Sequence, residues 1–107
     1  MLGQIVEVII DRPLGTYHPE HKSIYYSVNY GYIKGIVSGD GEELDAYILG
    51  INEPLEKFTG KVIAIIHRLN DVEDKLVVAP DGITYSEAQI RELTSFQEQY
   101  FDIEIEL

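Results

Sequence analysis

Short runs rich in valine, isoleucine and tyrosine, each cut off by turn residues, recur along most of the chain: QIVEVIID, SIYYSVNYGYIKGIV, LDAYILGI, KVIAIIHRL and KLVVAP. RPLG, SGDG, NEP, NDVED and PDG bound them. Branched and aromatic side chains suit a pleated, half-buried surface, whereas Gly, Pro, Asn and Asp supply turns, so the pattern predicts about five strands in a barrel or sandwich. SEAQIRELTSFQEQYF departs from it. Here Ser86 is a candidate N-cap, and Ile90, Leu93, Phe96, Gln97 and Tyr100 follow helical spacing, which predicts one amphipathic helix packed on the β-structure. The tail DIEIEL alternates apolar and acidic residues and predicts a short edge strand whose Glu104 and Glu106 discourage further pairing.

With 107 residues and 45% apolar side chains, a core is affordable without metal or disulfide staples, and residues 1–107 are expected to form a single domain. No repeat, linker or low-complexity segment interrupts it. The absence of cysteine excludes thiolate chemistry, and a cytoplasmic home is expected. No apolar run approaches the roughly 18 residues of a membrane span. Nineteen acids against eight Lys and Arg leave a formal charge of -11, which repels nucleic acid and anionic membranes alike. Such an excess often only solubilises a surface, so clustering has to carry any functional reading.

Three local patterns stand out. Strand alternation in YYSVNYGYI places Tyr26, Val28, Tyr30 and Tyr32 on one face and Ser27, Asn29 and Gly31 on the other, which suits either core packing with hydroxyls at the rim or a ligand site. Gly31 between two tyrosines predicts a bulge or a close backbone approach. In SGDGEELD, Gly39 and Gly41 make a tight turn from which Asp40 and Asp45 could converge; unpaired convergent carboxylates need a cation or a proton, and oxygen ligands suit Mg²⁺, Mn²⁺ or Ca²⁺. An acidic hairpin in water is the plainer alternative. NDVEDKL sets Asp71, Asp74 and Lys75 at strand ends, where an Asn/Asp turn is again the plainer reading. The histidines lack a recognisable ligand spacing and are assigned no metal.

On these residues the chain resembles the soluble family I inorganic pyrophosphatases. YYSVNYGYI is similar to that family's Tyr-Pro-x-Asn-Tyr-Gly-Tyr-Ile strand, with Ser27 where proline is usual. DGEELD resembles its Asp-x-Asp-Pro-x-Asp signature at Asp40 and Asp45, with Glu42 for the middle aspartate. NDVEDKLVVAP resembles the segment carrying two further metal-binding aspartates and a lysine, here Asp71, Asp74 and Lys75; EAQIRELTSFQEQYFDIE resembles the C-terminal helix, with the active-site tyrosine at Tyr100. Arg12 corresponds to the family's phosphate-binding arginine, followed by a longer loop. Phe101 stands where the family has a phosphate-binding lysine, and the N-terminal region is compressed.

The resemblance implies a mainly β fold, an OB-like five-stranded barrel with one flanking C-terminal α-helix. It also implies Mg²⁺, with Mn²⁺ as substitute, on Asp40, Asp45, Asp71 and Asp74, and hydrolysis of pyrophosphate as the small phosphate-containing substrate. Glu42 takes the place of the general base, Tyr30 joins it in catalysis, and Arg12, Tyr30, Lys75 and Tyr100 hold phosphate. Pyrophosphate carries about three to four negative charges near neutral pH, so an acidic protein binds it through intervening cations. Bacterial members often assemble, which allows a homo-oligomer. Phe101 and the shortened N-terminus motivate an alternative, a non-catalytic barrel that binds phosphate compounds through metal as a binding or interaction module.

Overall fold

Strand-forming runs and turn residues sort the chain much as the sequence predicts. The structure, a computed structural model, describes residues 1–37, 41–71 and 73–107. Its elements are β1 (Ile5–Arg12), β2 (Asn29–Val37), β3 (Glu43–Ile48), β4 (Lys57–Arg68), β5 (Asp74–Ala79), α1 (Glu87–Glu98) and β6 (Ile103–Glu106). The sheet order is β1-β2-β3-β5-β4-β6, and an additional β1–β4 pairing closes the first five strands into the expected barrel. The long β4 serves two neighbours along one edge: Lys57 to Lys61 pair with β1, and Ile65 to Arg68 pair with β6. β5 occupies the other edge of β4, and also runs parallel to β3. The acidic tail is the sixth, edge strand.

Alternation along the strands produces two cores. Val8, Ile10, Ile33, Leu44, Ala46, Ile48, Val62, Leu76 and Val78, drawn from all five barrel strands, fill the interior. Side chains of the opposite face, among them Tyr30, Tyr47, Ala64, Ile66 and Val77, meet Ile24, Tyr26 and Val28 from the β1–β2 loop, Ile90 from α1 and Ile105 from β6. Each fully buried aliphatic side chain contributes about 1.5–3 kcal/mol, so the outer core is what holds helix and loop to the barrel. The faces of the tyrosine-rich segment are as predicted up to Val28, but at the start of β2 both faces are covered and Asn29, Tyr30 and Gly31 are all buried.

Gly31 combines both of the features expected of it. It pairs with Ile10 beside a register shift in β1, and a Cβ at this position would lie 1.9 Å from the Ile9 carbonyl oxygen. No other residue type lets β1 and β2 approach so closely. Asn29 is wholly buried and structural: its Oδ1 accepts from the Leu14 and Leu55 amides, and its Nδ2 donates to the Glu53 carbonyl.

Ser86 caps α1 as predicted, in a reciprocal capping box with Gln89. The helix's inward face differs from the expected stripe, because Ile90, Thr94, Gln97 and Glu98 are buried while Leu93 is exposed. Towards its C-terminus α1 covers tyrosine hydroxyls and a guanidinium, and polar side chains suit that surface. Tyr100 falls beyond the helix. No helix among the described residues is long and apolar enough to cross a membrane.

Candidate functional site

Strand register brings the chemistry-bearing side chains to one face. Asp45 of β3 stands opposite Tyr32 of β2 and Lys75 of β5, and Tyr30 stands opposite Tyr47. A cleft of about 630 Å³ opens there; Arg12, Tyr30, Asp45, Arg68, Glu73, Lys75 and Gln97 line it with Tyr100 and Phe101 from the segment after α1. The β1–β2 loop adds His18, His21, Ser23, Ile24 and Tyr26.

A continuous polar chain runs through this wall. Tyr30 donates its hydroxyl to Asp45 Oδ2 at 2.8 Å, and Lys75 Nζ donates to the same oxygen at 2.7 Å. Lys75 Nζ also lies 2.8 Å from Glu73 Oε2, to which Arg68 Nη1 donates at 3.1 Å. Arg68 then grips Glu98 with two bonds, Nε to Oε1 at 2.9 Å and Nη2 to Oε2 at 2.6 Å. Tyr47 donates to Glu98, Gln97 donates to Tyr47, and Tyr26 donates to Gln97. The Phe101 ring covers the guanidinium at 3.7 Å from Arg68 Cζ to the ring centroid.

Burial sets the protonation states. Tyr30 is desolvated and lies beside the Asp45 carboxylate, which together push its pKa well above the ordinary phenol value; Tyr47 is raised in the same way by burial and Glu98. Both hydroxyls are therefore donors. Burial of Arg68 works against its charge, but the Glu98 carboxylate outweighs that and raises the pKa further. Desolvation raises the Asp11 carboxyl despite the neighbouring Arg12. Arg12 Nε is buried with no hydrogen-bond partner among the described residues.

Of the residues singled out from sequence, Arg12, Tyr30, Asp45, Lys75 and Tyr100 meet in this cleft. Asp40 lies outside the described residues. Glu42 is exposed and does not line the cleft. Asp71 does not line it either; its Oδ2 sits 4.0 Å from Arg68 Nη1. Asp74 points to the other face of β5, where His67 Nδ1 lies 2.9 Å from its Oδ1. Glu73 enters the cleft in its stead. Period-two alternation counted back from Lys75 reaches Glu73 and skips Asp74, so this acid was within reach of the sequence. Arg68 and Glu98 were not, because their pairing depends on how α1 docks against β4.

Asp45 and Glu73 converge on one ammonium and offer the hard oxygen donors that Mg²⁺ and Mn²⁺ take. Among the described residues no set of three ligating side chains is assembled for a metal. A cation there needs a further ligand; Asp40, five residues before Asp45 in sequence, lies outside the described residues.

Neither a family model nor a curated protein matches the sequence. Solved structures do match in fold. An inorganic pyrophosphatase from Ehrlichia chaffeensis superposes with a TM-score of 0.74 at 17% identity, over 99% of this chain and 87% of that one. One from Neisseria gonorrhoeae gives 0.70 at 20% identity, over 92% and 74%, and one from Coxiella burnetii 0.68 at 19%, over 94% and 79%. The barrel, its flanking helix and their order are thus the fold of these pyrophosphatases.

Proposed function

We propose that the chain is a divergent family I inorganic pyrophosphatase, a hydrolase that cleaves the phosphoanhydride of pyrophosphate in the cleft described above, with a divalent cation held by Asp45, Glu73 and Asp40. The observation that carries the reading is the convergence of Asp45, Glu73 and Lys75 beside Arg12 and two tyrosine hydroxyls, on a pyrophosphatase barrel. Charge balance supports the cation. The cationic lining residues Arg12, Arg68 and Lys75 are matched by Asp11, Asp45 and Glu73, so a highly charged anion entering this acidic protein needs added positive charge. A bound divalent cation supplies a water of lowered pKa and neutralises charge on the leaving phosphate.

The chain's own residues bind and orient. Lys75 has three N–H donors, of which Asp45 and Glu73 take two, and the third serves a phosphate oxygen. Arg12 offers a guanidinium from the cleft wall, Tyr100 a hydroxyl at the rim, and Tyr30 holds the Asp45 carboxylate in place. Asp74, expected as a ligand, faces away from this arrangement, and Asp71, also expected, does not line the cleft but lies beside Arg68. Glu42, expected as general base, also lies off the cleft lining, and this favours a second reading in which the cleft binds a phosphate compound without turning it over.

Phosphate release from pyrophosphate separates the two. The enzyme should release phosphate with Mg²⁺ or Mn²⁺ and not in chelator, and Lys75→Met should lower kcat/KM by about 10- to 100-fold, the value of one or two charge-assisted hydrogen bonds. No release with either metal would leave the binding reading.

A further inference from the structure

The β1–β2 loop brings a histidine to the cleft that the proposed chemistry does not use. His18 is held by the loop's own backbone: its amide donates to the Ile24 carbonyl at 3.0 Å, and Tyr26 donates back to Thr16 at 2.9 Å, with Tyr17 and Tyr25 bridged between them. Its ring is fixed as well. Nδ1 accepts from two backbone amides, those of Glu20 and His21, each at 3.1 Å. The ring stacks against Tyr26 at 6.5 Å between centroids and leans on His21 at 4.9 Å. A nitrogen that accepts two N–H bonds cannot itself carry a proton, so the neutral ring must carry it on Nε2. Charging the ring would turn two hydrogen bonds into two donor–donor clashes. Desolvation and the charges of Arg12 and His21 add to this by lowering the His18 pKa, with Glu20 opposing them.

We propose that His18 is a substrate-binding residue, a neutral Nε2–H donor whose backbone-locked ring gives a hydrogen bond to the phosphate-bearing anion in the cleft. The assignment rests on the reading that the cleft takes such an anion. Nδ1 is engaged by the loop backbone, so Nε2–H is the donor left to the ring, and His18 lines the cleft together with Arg12. Lys75 and Arg68 reach the anion's surroundings from the barrel strands, whereas His18 and Arg12 do so from the β1–β2 side. Because the donor is neutral, its contribution stays constant through neutral pH, where a titrating histidine would lose a charge.

Ring ¹⁵N resonances in full-length protein, titrated with inorganic phosphate, test this. His18 should show the Nε2–H tautomer before ligand is added, and its Nε2–H signal should move saturably with phosphate, while the His67 ring on the far face stays put. The second arm is His18→Asn, whose side-chain oxygen can still accept from the loop amides. It should fold with a Tm near wild type yet weaken phosphate binding about fivefold, the value of one hydrogen bond, with pyrophosphate KM rising more than kcat falls. An Nδ1–H tautomer, an Nε2–H signal indifferent to phosphate, or a well-folded His18→Asn with wild-type affinity would each overturn the assignment and leave His18 a loop anchor. Phosphate binding at His18 without pyrophosphate turnover upholds His18 and refutes hydrolysis. Turnover with an indifferent His18 does the reverse.

Discussion

Phe101 shows how a single residue misleads when read alone. As a replacement for a lysine it signals a lost cation, yet its ring lies on the Arg68 guanidinium, which β4 supplies to the same corner of the cleft. A guanidinium thus stands at that corner, already engaged by Glu98 and Glu73, and a lysine at position 101 would meet a like charge. Arg68 in turn is nearly inaccessible, as is its partner, with side-chain exposures of 6% for Arg68 and 1% for Glu98. Removing Glu98 leaves the buried guanidinium with Glu73 at 3.1 Å and Asp71 at 4.0 Å, and breaking a buried pair costs up to about 3–5 kcal/mol. Glu98→Leu should lose about that much in urea denaturation, and the double variant Arg68→Met with Glu98→Leu should recover most of it, since neither charge then remains buried. A double variant as unstable as the single one would show that the pair itself, and not the guanidinium left without Glu98, sets the cost. Tyr47, which donates to Glu98, makes the recovery incomplete.

Among the elements, strands were the most legible, because Val, Ile and Tyr runs with turn residues between them specify period-two segments without reference to anything distant. Pairing between β3 and β5, and the double use of β4, depend on contacts far apart in sequence, and local pattern carries no trace of them. The same limit explains the site: Tyr30, Asp45 and Lys75 follow from strand phase, whereas the Glu98 contact needs the docked helix. His67 illustrates the far side of the sheet. It bridges three strands, with Nδ1 at 2.9 Å from Asp74 of β5 and Nε2 at 2.9 Å from Glu106 of β6. The Glu106 hydrogen bond and, against partial desolvation, Asp74 raise its pKa above the ordinary 6.5. A histidine whose folded pKa is raised stabilises fully below its unfolded value and loses that contribution as pH rises through the folded value. Wild type should therefore melt above His67→Gln at pH 5.5 to 6, and the gap should close towards about pH 9, well past the ordinary histidine range. A gap independent of pH would assign the bridge to neutral hydrogen bonding alone.

At the scale of the whole molecule, a formal charge of -11 on 107 residues makes self-repulsion part of the folding balance. Raising NaCl from about 10 to 150 mM shortens the Debye length from about 30 to 8 Å, so Tm should rise with salt in chelator, by similar steps for wild type and for surface variants such as Glu104→Gln. A falling Tm would mean that attractive pairs outweigh the net charge. The buried Arg68–Glu98 pair also has a meaning in time. Arg68 belongs to the barrel, but its counter-charge arrives on α1, encoded after every barrel strand. A nascent chain that has closed its five strands and awaits its helix shows a cleft with one more uncancelled positive charge than the finished protein. Seating the helix brings Glu98 onto that charge, so docking α1 also completes the electrostatic character of the cleft.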